Sequence, residues 1–179
     1  MVFSSAAFLF AFLPLVMGLY YLPVYRKSER RSIRYKNIIL CVSSLLFYAW
    51  GEPVYIVLML LSMVFNYYVG IDIEENVLSP KKKKLALLLG IGYNIFALGF
   101  FKYSGFIVES VNSAFGAQIE YSPLPLPIGI SFYTFQIMSY IIDVYYGTVR
   151  AQRKLLPFMT YISMFPQLIA GLIVQYSDI

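Results

Sequence analysis

The sequence predicts an all-α fold, a polytopic helical membrane protein of about five or six transmembrane helices at some 20 residues per span. Three observations predict it. Hydrophobic residues make up 60% of the chain and aromatics 18%, while charged residues are only 13%, about half the roughly 25% of a soluble domain. Apolar runs approaching the length of a span recur throughout. Every basic residue except Lys102 falls into one of three short clusters between those runs. The clusters are Arg26, Lys27, Arg30, Arg31, Arg34 and Lys36; then Lys81 to Lys84; then Arg150, Arg153 and Lys154.

One threading satisfies all three clusters. With the N-terminus outside, a first span from Phe3 to Val24 delivers the first cluster to the cytoplasm. The chain returns through Ile38 to Trp50, turns at Gly51-Glu52-Pro53, and descends through Val54 to Ile71. Leu85 to Phe101 goes out again, and the run ending at Gly147 comes back. Residues 26–36, 80–84 and 150–154 are then cytoplasmic loops, as the positive-inside tendency requires, and Glu52 and Glu120 lie outside at little cost to orientation. Ile38 to Trp50 is short, about 20 Å against a core of roughly 30 Å, and needs extension through Tyr35 to Asn37 or a thinned membrane. The mixed stretch from Lys102 to Gln118 reads as a separate interfacial helix on the outer side. Ser122 to Pro127 holds three prolines and cannot be regular helix, so Pro127 falls near the first turn of the next span.

The 179 residues read as a single membrane domain, with no length for a soluble catalytic domain beside it. The first apolar run reads as a permanent helix and not a cleaved signal, because its positive charges follow it and Tyr20-Tyr21-Leu22-Pro23 offers no small-residue cleavage site. The net charge of +5 does not point to nucleic acid, since the basic residues are topology clusters without aromatic interleaving. There is no histidine, which excludes imidazole general-base catalysis, a Ser-His-Asp triad and histidine metal sites within this chain. Cys41, the one cysteine, lies in an apolar segment and reads as a buried thiol, with no internal disulfide open to it. No bound cofactor or metal is expected.

The candidate site is one face of the run Leu124 to Gly147. At about 100° per residue, Gly129, Tyr133, Gln136, Ser139, Tyr140, Asp143 and Gly147 share that face, with Thr134, Ile137, Met138, Ile141, Ile142 and Tyr145 opposite. A polar stripe on an apolar helix needs a partner, a ligand or water. Tyr133, Gln136, Ser139, Tyr140 and Asp143 are therefore candidates to line a substrate passage. The competing reading for Asp143 is a pair with Arg150, Arg153 or a lipid headgroup. Ser62, Asn66 and Gly70 form a second stripe, as do Gly90 and Asn94, and small or amide residues at a spacing of four are more often helix-packing contacts than sites. Lys102 reads as a side chain snorkelling to outer headgroups.

The block LPIGISFYTFQIMSYIIDVYYG (Leu126 to Gly147), followed by FPQLIAGLIVQYSDI (Phe165 to Ile179), resembles the membrane-bound O-acyltransferases. The similar branch is that of the alginate O-acetyltransferases and the teichoic-acid D-alanyl transfer protein. MVFSSAAFLFAFLPLVMGLYYL, LLFYAWGEP and GFFKYSGF extend the resemblance end to end. It implies a multi-pass enzyme of the bacterial inner membrane. Such an enzyme passes an acyl group from a cytoplasmic donor, acyl-coenzyme A or an acylated carrier, to an exported polysaccharide such as alginate. Carrier or polysaccharide-acetylation proteins are the implied partners, beside the bilayer itself. The family's catalytic histidine lies downstream of this block, so the resemblance makes the chain the N-terminal part of such a bundle, without a catalytic residue of its own. Leu172 stands where the family usually has proline and Gln175 where a basic residue is frequent; losing proline frees a backbone donor and lets the local turn straighten. Two other classes stay open, a non-catalytic membrane subunit and a small transporter or channel component, although the repeated halves usual in transporters are not visible.

Overall fold

The computed structural model describes residues 5–22, 29–116, 125–171 and 176. Among these residues the chain is helical, with no strand. A π-turn at Phe8–Phe12 leads into α1, Leu13–Tyr21. Pro14 explains the wide turn: it has no N–H for the carbonyl four residues back and its ring crowds that carbonyl, so the ladder opens just before it. Then follow α2 (Glu29–Gly51), α3 (Tyr55–Glu75), α4 (Pro80–Phe115), α5 (Ile130–Tyr146), α6 (Leu155–Ser163) and α7 (Phe165–Ala170).

Three lengths differ from the sequence expectation. The basic residues Arg30, Arg31, Arg34 and Lys36 belong to α2 itself, whose 23 residues reach about 35 Å. The shortfall at Ile38 to Trp50 thereby disappears. Helix α4 runs unbroken for 36 residues, about 54 Å, so the described part of Lys102 to Gln118 is its continuation and not a separate helix. Helix α5 starts only at Ile130, because Gly129 takes φ 76° and stands outside the helix as its cap. At the other end α5 closes on Gly147, where Gly147 N–H donates to the Val144 carbonyl (3.2 Å) and Thr148 N–H to the Asp143 carbonyl (2.9 Å). Helices α3 and α4 are long and apolar enough to cross a membrane.

The core is the triangle of α3, α4 and α5, each packed on the other two. Met59, Met63, Ile73, Ile137, Tyr140 and Ile141 have no exposed surface. In lipid, apolar burial alone does not hold helices together; close approach and polar pairs do. Both are present. Asn94 Nδ2 donates to Asn66 Oδ1 (2.7 Å) and Asn66 Nδ2 to Asn94 Oδ1 (3.3 Å), and each amide also donates to the carbonyl four residues before it, Gly90 (2.8 Å) and Ser62 (2.8 Å). Ser62 and Tyr93 share a further hydroxyl bond at 3.1 Å. A Cβ at Gly90 would come within 2.9 Å of Ile141 and Val69, and one at Gly70 within 2.9 Å of the Tyr140 ring. The two small-residue stripes are thus the seams along which α3, α4 and α5 meet.

Around this triangle, α2 packs on α1 and α6, and α6 also reaches α3 and α5. Phe8, Phe12, Phe47 and Phe165 form an aromatic knot of neighbouring ring centroids 5.2 to 5.9 Å apart, binding the first helix to α2 and α7. Cys41 is buried.

The three basic clusters meet at one end of the bundle. Arg30, Arg31 and Arg34 share a cavity with Lys154. Lys83 lies 4.9 Å above the Tyr145 ring at the end of α5. Arg153 pairs with Glu74 (2.6 Å) and Glu75 (2.7 Å) at the end of α3. At the other end Tyr55 meets Phe101 edge-on at 5.6 Å, and α4 runs on for about 21 Å past that contact. There Tyr103, Phe106 and Ile107 are exposed.

The amide pair gives a direct test. Asn66→Leu strands the buried Asn94 amide and is expected to lower stability by about 1–3 kcal/mol. Asn66→Leu together with Asn94→Leu, which leaves no orphan, recovers part of that loss. Thermal unfolding of the detergent-solubilised protein, read as a double-mutant cycle, checks it; simply additive losses would mean the amides act independently.

Candidate functional site

Helix α5 buries one broad face. Tyr133, Gln136 and Tyr140 are buried, and so are Ile130, Ile137 and Val144 beside them and Thr134 and Ile141 further round; Phe132 and Phe135 face outward. The apolar side expected opposite the polar stripe therefore packs on α3 and α4. Ser139 and Asp143 are half-buried.

The polar face meets the second half of the sequence block. Gln136 Nε2 donates to the Tyr161 carbonyl at the end of α6 (3.0 Å) and to Gln167 Oε1 on α7 (3.0 Å), so both of its amide hydrogens are taken. Two glycines let the segments touch. Gly129 adopts φ 76° with its α-carbon so close to α7 that a Cβ would sit 3.4 Å from the Leu168 carbonyl oxygen. Gly171 adopts φ 69°, and a Cβ there would be 2.8 Å from the Phe132 ring. Only glycine reaches such φ values without strain. Phe165 N–H donates to Ser44 Oγ (3.3 Å), and Thr160 Oγ1 to the Asn37 carbonyl (3.2 Å), fixing both segments against α2. Leu172 and Gln175 lie outside the described residues.

Tyr140 works lower down. Its hydroxyl accepts the Gln152 N–H at 2.8 Å, and its ring contacts Phe158 (4.9 Å between centroids) and Tyr176 (5.0 Å). The loop it holds is strapped by three more bonds: Tyr67 hydroxyl to the Arg153 carbonyl (2.8 Å), Ala151 N–H to Glu74 Oε1 (3.2 Å), and Gln152 Nε2 to the Tyr176 hydroxyl (2.7 Å). Arg153 keeps its guanidinium more firmly protonated than usual, held by Glu75 and Glu74. That arrangement removes Arg153 as a partner for Asp143. The paired reading expected for Asp143 is not made through that residue, because the end of α3 presents two carboxylates nearer to it.

The candidate residues thus divide. Gln136 and Tyr140 spend their polar groups on this chain. Tyr133 Oη and Asp143 Oδ2 are buried with no hydrogen-bond partner, as are Tyr48 Oη and Ser163 Oγ. Buried polar atoms are nearly always satisfied, so these four are where a ligand, water or further protein would bond. Sequence periodicity put Tyr133 and Asp143 on one polar face; it did not find Gln167, Ser163 or Tyr48, whose only earlier signal was the FPQLIAG block holding Gln167. Chemically the arrangement positions segments. It contains amides, hydroxyls and the carboxylates of Asp143, Glu74 and Glu75, and no imidazole.

Gln136→Leu strips the donors from Gln167 and from the Tyr161 carbonyl, and a loss of about 1–3 kcal/mol is expected, whereas Ser139→Ala, at a half-buried position, is expected to be near neutral. Melting of the two purified variants beside the parent decides it. Equal melting temperatures for all three would remove the structural role of Gln136.

Comparison with known proteins gives consistent relatives. The chain is 41% identical to a protein named probable alginate O-acetylase AlgI from Pseudomonas putida, over 100% of this chain and 36% of that protein. It is 42% identical to the protein of the same name from Pseudomonas aeruginosa, again over 100% of this chain and 34% of the other. A peptidoglycan O-acetyltransferase from Helicobacter pylori is 33% identical over 99% of this chain and 38% of its own length. The chain thus spans about a third of these relatives, at their N-terminal end. No protein-family model matches it, and no solved structure does.

Proposed function

From this homology to the N-terminal third of membrane-bound O-acyltransferases, we propose that the chain forms the N-terminal helices of a membrane O-acetyltransferase. The observation that carries the proposal is the identity of about 40% to alginate O-acetylases running through the whole chain, including both halves of the clasp joined by Gln136 and Gln167.

In this reading the protein sits in a bacterial inner membrane, with about five or six spans in this chain, and its N-terminus is outside. The convergence of the three basic clusters on one end supports that orientation. An acetyl group leaves a cytoplasmic donor, acyl-coenzyme A or an acylated carrier protein, and an exported polysaccharide such as alginate receives it. The acceptor hydroxyl oxygen attacks the acyl carbonyl, the ester bond forms, and the donor's sulfur leaves as the thiol. A general base must take the hydroxyl proton, and one with a pKa near the working pH suits best. This chain has no histidine, so the base comes from elsewhere in the protein or from a partner. The role of residues 1–179 is the wall: Tyr133, Ser139 and Asp143 face the passage, while Gln136 and Tyr140 hold α5 against α6, α7 and the 148–154 loop.

The missing imidazole favours a second form of the same reading, in which the chain is a non-catalytic membrane subunit beside a separately supplied catalytic part. Both forms share an expectation. The purified chain, given acetyl-coenzyme A or an acylated carrier and alginate, transfers no acetate above background. Joined to the remaining two-thirds of an alginate O-acetylase, it supports transfer, and there Tyr133→Phe and Asp143→Asn each lower transfer several-fold at unchanged membrane expression. Turnover by the chain alone that depends on Asp143 would require a histidine-free mechanism and overturn this reading.

Orientation is tested separately. On a Cys41→Ser background, cysteines at Ser79 and Gln152 are expected to resist a membrane-impermeant thiol reagent added outside, while cysteines at the exposed Val54 and at Gln118 react. Outside labelling at Ser79 would break the proposed threading.

A further inference from the structure

The first and third basic clusters do more than lie at the same end. Between the start of α2 and the start of α6 they border an open cavity of about 560 Å³, lined by Arg30, Arg31, Arg34, Asn37, Lys154 and Leu155 among others, with no acidic residue among the described residues of its wall. That size is typical of a small-molecule site, roughly 300–1,000 Å³. A second groove of about 370 Å³ opens on the other side of Arg31 and Arg34. The helix geometry makes this convergence firm. Arg30, Arg34 and Asn37 fall on one face of α2 at spacings of four and three, and the Thr160 hydroxyl bonds the Asn37 carbonyl at 3.2 Å, locking α6 against that face.

The contrast with Arg153 is informative. Arg153, next to Lys154, is neutralised by Glu74 and Glu75. Among the described residues no carboxylate forms an ion pair with Arg30, Arg31, Arg34 or Lys154. All four are exposed, so water and mobile ions screen them, yet four like charges around one cavity still raise the local concentration of anions. Three of the four are arginines, whose planar forks match phosphate oxygens two at a time.

We propose that this cavity binds a phosphate-bearing group at the membrane surface. Two sources carry that chemistry at this depth: the headgroup of an anionic phospholipid, and the phosphates of a soluble ligand such as coenzyme A. The proposal stands apart from acyl transfer, because binding is measured without turnover.

The experiment uses the 179-residue chain in nanodiscs of phosphatidylcholine, with or without phosphatidylglycerol, and coenzyme A as the soluble probe. Phosphatidylglycerol retained after release from the discs, read by native mass spectrometry, identifies a headgroup site. Coenzyme A bound in phosphatidylcholine discs, read by calorimetry, identifies a soluble phosphate site. Arg31→Gln with Arg34→Gln is expected to weaken whichever binding is seen by about tenfold or more, as loss of charged hydrogen bonds implies. Lys81→Gln with Lys82→Gln removes the same charge outside the cavity and leaves binding unchanged. Lys154→Gln, at an exposed position on the opposite wall, repeats the test should the arginine pair impair folding. Absence of both kinds of binding in the parent chain overturns the proposal, and so does an equal loss in the Lys81 and Lys82 control.

Discussion

The reciprocal Asn66–Asn94 amide pair is the constraint from which the rest of the bundle follows. Lipid tails are as apolar as leucine, so α3 and α4 gain little from merely hiding leucines against each other. Two buried amides with no water to bond have one good arrangement, each completing the other. That arrangement fixes the axial register of α3 against α4. The register in turn puts Gly70 and Gly90 opposite Tyr140 and Ile141, where α5 comes so near that a methyl group would collide. A single polar pair therefore sets the seat for the third helix.

Once α5 is seated, its polar edge has nowhere to go but toward α6 and α7, and the sequence supplies acceptors there. Gln136 meets Gln167, Gly129 meets Leu168, Gly171 meets Phe132. The same seating directs Tyr140 to the Gln152 backbone, which holds the loop carrying Arg153 and Lys154. Packing at the middle of the bundle and charge at its end are thus one mechanical system. The Arg153 pairs with Glu74 and Glu75 are exposed and water-screened; they orient the loop more than they stabilise the fold.

Much of this was legible from the residues alone, for a physical reason. Period and charge are local properties, so the stripes Ser62-Asn66-Gly70 and Gly90-Asn94, the polar edge of α5 and the shared end of the basic clusters could all be read in sequence. Partners are not local. Gln136 bonds a residue 31 positions away, and nothing in the spacing distinguishes Gln167 from a lipid headgroup or a substrate as its acceptor. One of the two readings of Asp143 paired it with Arg150, Arg153 or a headgroup by proximity in sequence, but the carboxylates of α3, nearly 80 residues from Arg153, claim that guanidinium first. The length of α4 escaped because Lys102 suggested a boundary, whereas one lysine with its ammonium 5.5 Å from the neighbouring Tyr103 ring does not interrupt a backbone ladder. The turn at Gly129 escaped because periodicity counts a glycine as a small helical residue and is blind to the sign of φ.

What the chain leaves unsatisfied is as ordered as what it satisfies. Exposed Phe96, Phe100, Tyr103, Phe106 and Ile107 run along α4 and ask for apolar cover, which lipid or further helices give equally well. Tyr48, Tyr133, Asp143 and Ser163 have buried polar atoms without partners, and lipid tails cannot satisfy those. Such atoms are tolerable only beside water, a polar ligand or another polar chain. The two classes of unmet demand differ in depth: exposed apolar side chains also line the outer sides of α2 and α3, Leu46, Trp50 and Leu61 among them, whereas the unpartnered polar atoms are buried on α2, α5 and α6. A bundle whose apolar demand faces outward and whose unmet polar demand is buried suits lipid on its outside and water, a polar ligand or a further polar chain within.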